Sequence, residues 1–85
     1  MTPFTVDWDE EAEDELARNW MEADEPNEVV AAQNLADQLL SHDPVGAGRP
    51  LSEGLYLLLV PPLVVFYTID TARRHVQVTW VNPSA

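Results

Sequence analysis

The run from Leu55 to Ile69 (LYLLLVPPLVVFYTI) constrains this chain more than any other stretch. Two β-prone segments flank Pro61-Pro62, and neither contains a charged residue. A strand pair that is apolar on both faces needs cover on both faces. The chain has only 85 residues, and the helical segments upstream suffice for one face. The other face is therefore expected to meet a partner chain or carry a site.

Length and composition narrow the classes. At 85 residues the chain is a single domain spanning residues 1–85, of a size that buries only about 60–65% of its unfolded surface. Cysteine is absent, which excludes disulfides, thiol catalysis and Cys-based zinc sites and fits an intracellular protein. The N-terminal MTPFTVDW lacks the basic and apolar regions of a secretion signal. The apolar run is interrupted by Pro-Pro and too short to span a bilayer as a helix. A soluble cytoplasmic protein without cofactor is expected.

The net charge of -11 is unevenly placed. Residues 1–28 carry eleven carboxylates against Arg18 alone, while residues 29–85 carry four acidic and three basic groups, and lysine is absent. Binding nucleic acid by phosphate neutralisation needs clustered Lys or Arg. The nearest approach is Arg73-Arg74 beside His75, so neither nucleic acid nor an anionic membrane is expected as a partner.

Residues Phe4, Val6 and Trp8 alternate with polar ones and predict a first strand. Asp9 is placed as an N-cap, followed by carboxylates that suit the helix dipole. Ala12, Leu16 and Trp20 recur at helical spacing as the buried stripe of helix 1. Glu25-Pro26-Asn27 ends it, and helix 2 runs from about Glu28 to Leu40 with Val29, Ala32, Ala36, Leu39 and Leu40 inward. Residues 41–48 read as a loop. Three strands follow: about Leu51 or Leu55 to Val60, Leu63 to Ile69, and His75 to Val81, the last with Val76, Val78 and Trp80 on one face. The predicted fold is α+β, in the order β-α-α-β-β-β. A helical hairpin packs on one face of a mainly antiparallel four-stranded sheet.

This order and its turns resemble the RelE/ParE toxin superfamily of type II toxin–antitoxin modules, which includes plasmid-stabilisation-like proteins. The matching pieces are Val6-Asp7-Trp8 before an acidic helix, Leu40-Ser41-His42-Asp43-Pro44, Gly48-Arg49-Pro50-Leu51, the segment from Pro62 to Asp70, and Arg73-Arg74-His75-Val76. Together they cover nearly the whole chain. The resemblance implies an antitoxin partner. It also implies that ribonuclease members work with Lys and Arg alternating on the exposed sheet face, plus a C-terminal Tyr or His, to grip mRNA phosphates. The positions matched here are Leu57, Leu59 and Val64, all apolar, and only Asn82-Pro83-Ser84-Ala85 follow Val81. The ribonuclease set is thus not carried over, whereas ParE-like members, which resemble gyrase inhibitors, do not depend on it.

The weak catalytic candidates are Arg73, Arg74, His75 and Tyr67; the competing reading of the basic trio is a solvated hairpin tip. His42 beside Asp43 suits a helix C-terminus. The acidic pairs Glu10/Asp14 and Glu11/Glu15 read as a solvated face with no metal site, since metal ligands converge from several elements. Arg49 is read either as pairing with one of these carboxylates or as a binding residue. Trp8, Trp20 and Trp80 are assigned to the core. Leu57, Leu59, Val64 and Phe66 form the stripe assigned to a protein interface. The leading expectation is a toxin-like protein acting through protein–protein contacts with an antitoxin. The alternatives are a ribosome-dependent mRNA endoribonuclease using Arg73, Arg74 and His75, or a non-toxic homodimeric structural module.

Overall fold

The structure, a computed structural model, describes residues 3–84. Met1 and Thr2 of the segment read as free of a secretion signal, and Ala85 of the short C-terminal segment, lie outside the described residues. The described chain forms three helices and a five-stranded mixed sheet: β1 (Thr5–Trp8), α1 (Glu10–Glu22), α2 (Pro26–His42), α3 (Pro44–Ala47), β2 (Arg49–Ser52), β3 (Leu55–Val60), β4 (Leu63–Asp70) and β5 (His75–Pro83). The strand order is β1-β5-β4-β3-β2. β1 joins β5 in parallel, and every other pairing is antiparallel.

The expectation of four strands is corrected to five. The single strand read from Leu51 or Leu55 is two strands, separated by a turn at Gly54, whose φ of 79° suits glycine. β2 escapes a periodicity search because all four of its residues are exposed and Pro50 interrupts it. An edge strand tolerates both features. Residues 41–48 are likewise more ordered than a loop. α2 continues to His42, and Asp43 caps the single-turn α3 by accepting the Gly46 N–H at 3.0 Å.

Helix 1 starts where expected, yet Asp9 makes no side-chain cap. Its main-chain carbonyl accepts the Glu13 N–H at 2.9 Å, while its carboxylate accepts from the Gln77 side-chain amide of β5. Ala12 is fully buried and Leu16 half-buried, but Trp20 is 47% exposed, so its assignment to the core is corrected. At 3.6 residues per turn, eight residues carry a side chain about 80° around the helix, which turns Trp20 out of the stripe begun by Ala12. On α2, Val29, Ala32, Ala36 and Leu40 are buried, whereas Leu39 is exposed and leaves the predicted inward set. The Trp8 indole N–H donates to Asp37 Oδ1 at 2.8 Å and ties β1 to α2.

The core lies between the helices and one sheet face. Leu58 and Val60 of β3, Leu63, Val65 and Tyr67 of β4, and Val76, Val78 and Val81 of β5 are all buried there. The switch from Val78 to Val81 marks a β-bulge. Tyr67 pairs with Val78 and Phe66 with Trp80, so Thr79 is an extra residue. The bulge reverses the alternation and moves Trp80, 38% exposed, to the other face. Its expected place beside Val76 and Val78 is thereby corrected.

Candidate protein-binding face

The sheet face away from the helices is built by strand register. Arg49, Leu57, Phe66 and Trp80 lie directly opposite one another across β2, β3, β4 and β5. A second row sets Leu59 against Val64 and Val64 against Asn82. Residues opposed in this way have Cβ atoms about 4.5–5.5 Å apart, so the two rows form one apolar surface. Leu59 is 58% exposed, and Leu57, Val64 and Phe66 are half-buried. The neighbours Leu58 and Val65 point the other way and are buried. Trp80 enlarges the surface, its indole N–H donating to Asn82 Oδ1 at 2.8 Å. Sequence reasoning missed it, because nothing in Thr79-Trp80-Val81 announces a bulge.

Arg49 stands at the β2 edge of this surface. α1 packs over β5, across the sheet from β2. Arg49 makes no ion pair with a carboxylate of α1, nor any other ion pair among the described residues. Of the two readings offered for it, the pairing is therefore corrected.

The basic trio lies at and beside the β4–β5 hairpin tip. The Arg73 N–H donates to Asp70 Oδ1 at 3.1 Å, and its guanidinium faces the same carboxylate at 3.8 Å. Arg74, with φ of 51°, lays its guanidinium 4.3 Å from the centre of the Phe4 ring. His75 Nε2 lies 2.7 Å from Asp7 Oδ2. Each of the three is thus held by a neighbour within the fold, and they do not converge on one point in front of the sheet.

Tyr67 is not near them. It is fully buried on the helix side, where its hydroxyl donates to the Pro44 carbonyl at 2.7 Å. Its ring stacks on Tyr56, with centroids 5.5 Å apart. Burial pushes this hydroxyl up to about 12, against a smaller opposing effect of the Gly48 backbone hydrogen bond. Placing Tyr67 in a site with His75 is therefore corrected: the two occupy opposite faces.

His42 is exposed in the last turn of α2, and Asp43 is engaged with Gly46. Of the acidic pairs, Glu10, Asp14 and Glu11 are exposed, and Glu15 accepts from Arg18 at 2.7 Å. Among the described residues no group of three or more His, Asp or Glu is arranged to hold a metal ion, and no helix is long and apolar enough to cross a membrane.

No protein-family model matches the sequence, and no curated protein does. Solved structures do match. A chain of the toxin–antitoxin complex RelBE2 from Mycobacterium tuberculosis superposes with a TM-score of 0.83 at 24% identity, covering 100% of this chain and 97% of that one. A chain of the chromosomal ParDE toxin–antitoxin system from Pseudomonas aeruginosa gives 0.71 at 18% identity, over 96% of this chain and 97% of that one. The isolated RelE toxin from Escherichia coli gives 0.66 at 14% identity, over 96% of this chain and 85% of that one. The chain has the RelE/ParE toxin fold. At these identities the likeness concerns the architecture, and the apolar rows on the open face are read from this chain's own residues.

Proposed function

We propose that this chain is the toxin-type component of a type II toxin–antitoxin module, or a degenerate descendant of one, that acts in the cytoplasm by binding protein and not by cutting RNA. One observation carries the reading. Leu57, Leu59 and Val64, where the resemblance asks for phosphate-gripping Lys or Arg, are apolar, share the open face, and continue into Phe66 and Trp80. A face of this kind gains stability by losing water to an apolar partner surface, and the cation in its rows is Arg49 at the β2 edge, where phosphate neutralisation needs several clustered Lys or Arg. The natural partner is an antitoxin segment that lays an apolar helix across the face or adds a strand beside the exposed β2 edge. Two of the similar structures come from toxin–antitoxin systems, a complex in one case, which supports that choice.

The test is co-expression with the protein encoded by the adjacent reading frame, followed by purification, and expression of the chain alone with mapping of mRNA ends. A stable complex without cleavage is the expected result. Codon-phased cuts that vanish in an Arg73→Ala, Arg74→Ala, His75→Ala variant would install the ribonuclease in its place. A homodimer with no second protein would instead favour the structural module.

A further inference from the structure

The arginines of this chain are not held alike. Arg18 pairs with Glu15 at 2.7 Å, Arg73 faces Asp70 at 3.8 Å, and Arg74 lies over the Phe4 ring. Among the described residues Arg49 has no ion pair and no ring contact. It is exposed, and the register sets it opposite Leu57, at the end of the row that runs through Phe66 to Trp80. Arg49 also lines a groove at this edge with Ala47, Gly48, Leu57 and Leu59. An arginine left without a carboxylate, in a chain with fifteen acidic residues, stands at the margin of the largest run of apolar side chains on the open face.

The charges on the face itself narrow the occupant. Away from β2 the rows become polar: Leu55 is opposite Thr68, Thr68 opposite Gln77, and Gln77 opposite Asp7, with Asp70 opposite His75 beyond them. The two carboxylates of this polar part are engaged within the chain, Asp7 with His75 at 2.7 Å and Asp70 with Arg73. The sheet face of a second copy would therefore bring Arg49 no carboxylate that is not already held. A nucleic acid would find one cation among leucines, too few for its phosphates. The carboxylates of residues 1–28 are concentrated in and around α1, which packs over β5, away from β2. The charge next to Leu57 and Leu59 is that of Arg49.

We infer that Arg49 is the specificity-determining residue of the open face, and that the occupant is an acidic–apolar segment of another protein. Its apolar side chains lie on Leu57, Leu59 and Phe66, and a Glu or Asp carboxylate meets the Arg49 guanidinium. The planar guanidinium matches a carboxylate with two parallel hydrogen bonds, a geometry that neither an amide nor an ammonium reproduces. Covering Leu57 and Leu59 removes water from beside the pair and strengthens it. The inference rests on the reading of the open face as a protein-binding surface, and adds to it the charge that the partner carries and where.

The probes are short synthetic peptides, blocked at both ends, with leucine at two alternate positions, glutamate at the next, and serine between them. In an extended chain the leucines and the glutamate then share one side. Two further peptides replace the glutamate with glutamine or lysine. NMR titration of the unaltered protein, where no variant has to fold, should show saturable shifts of the Arg49 Nε–H and of the Leu57 and Leu59 methyl groups with the glutamate peptide. The glutamine peptide should bind about fivefold more weakly, and the lysine peptide more weakly still. In Arg49→Gln the three peptides should bind alike. Equal binding of the glutamate and glutamine peptides to the unaltered protein would overturn the role of Arg49 and leave the apolar face as a protein-binding surface. Shifts with none of the peptides would overturn the inference as well. Tighter binding of a short oligouridylate, lost in Arg49→Gln, would sink both this inference and the protein-binding reading. Self-association that Arg49→Gln abolishes would make a second copy the occupant and overturn the choice made here.

Discussion

Gly48 sits directly beneath the Tyr67 hydroxyl, at the point where α3 hands the chain to β2. A Cβ at this position would overlap both the Tyr67 oxygen and the Leu57 carbonyl oxygen. The absence of a side chain, and not an unusual φ, is what the fold needs here, since φ is -112°. Gly48→Ala should therefore cost about 1–3 kcal/mol by overpacking, read as a lower urea midpoint with unchanged slope. An unaltered midpoint would mean that α3 shifts freely, and that the contact does not position β2.

The same hydroxyl makes stability depend on alkaline pH. The Tyr67 pKa is raised from 10.0 to about 12 by burial. A raised folded pKa means the native state holds its proton more tightly than the unfolded chain. The contribution is therefore complete below pH 10 and is lost as pH rises through about 12. Thermal melts across that window should show a steeper fall for the unaltered protein than for Tyr67→Phe. Parallel curves would place Tyr67 in contact with water.

Trp8 and Asp37 join the first strand to the second helix across 29 residues of sequence. Asp37→Ala removes the acceptor and leaves a part-buried indole N–H without a partner, at a cost of about 1–3 kcal/mol. Asp37→Asn retains an acceptor oxygen and should recover most of that loss. Chemical denaturation of the two variants measures the difference, and equal losses would assign the effect to the charge of Asp37.

Much of this arrangement could be read from the residues because alternation has a period of two and leaves little freedom. Once Leu58 and Val65 face the helices, Leu57, Leu59, Val64 and Phe66 must face away. What escaped the reading are departures from that period. The bulge at Thr79 sends Trp80 outward, and Thr79 differs in no chemical respect from an ordinary strand threonine. On α1, spacing four is not a whole turn, so the stripe from Ala12 drifts and Trp20 leaves it. β2 has neither alternation nor burial to betray it and exists because β3 offers an edge. The stacking of β1 beside β5 in parallel depends on contacts such as Val6 with Val76, far apart in sequence and invisible to local pattern.

Leu58 and Leu59 are adjacent in β3 and should behave oppositely. Leu58 is 5% exposed and packs among Val65, Tyr67 and the helices, whereas Leu59 is 58% exposed on the open face. Leu58→Ala should cost about 2–5 kcal/mol, by lost burial and an unfilled cavity. Leu59→Arg should alter stability by no more than about 0.5 kcal/mol, as an exposed substitution does. Its effect should fall instead on association: a guanidinium amid Leu57, Val64 and Phe66 would have to be desolvated when a partner covers the face. Val64→Arg tests the same surface from β4. Circular dichroism and co-purification with the adjacent gene product separate the two outcomes. If Leu59→Arg and Val64→Arg stay folded and still bind, the partner covers another surface; if both unfold, these side chains belong to the core and the face is not an interface.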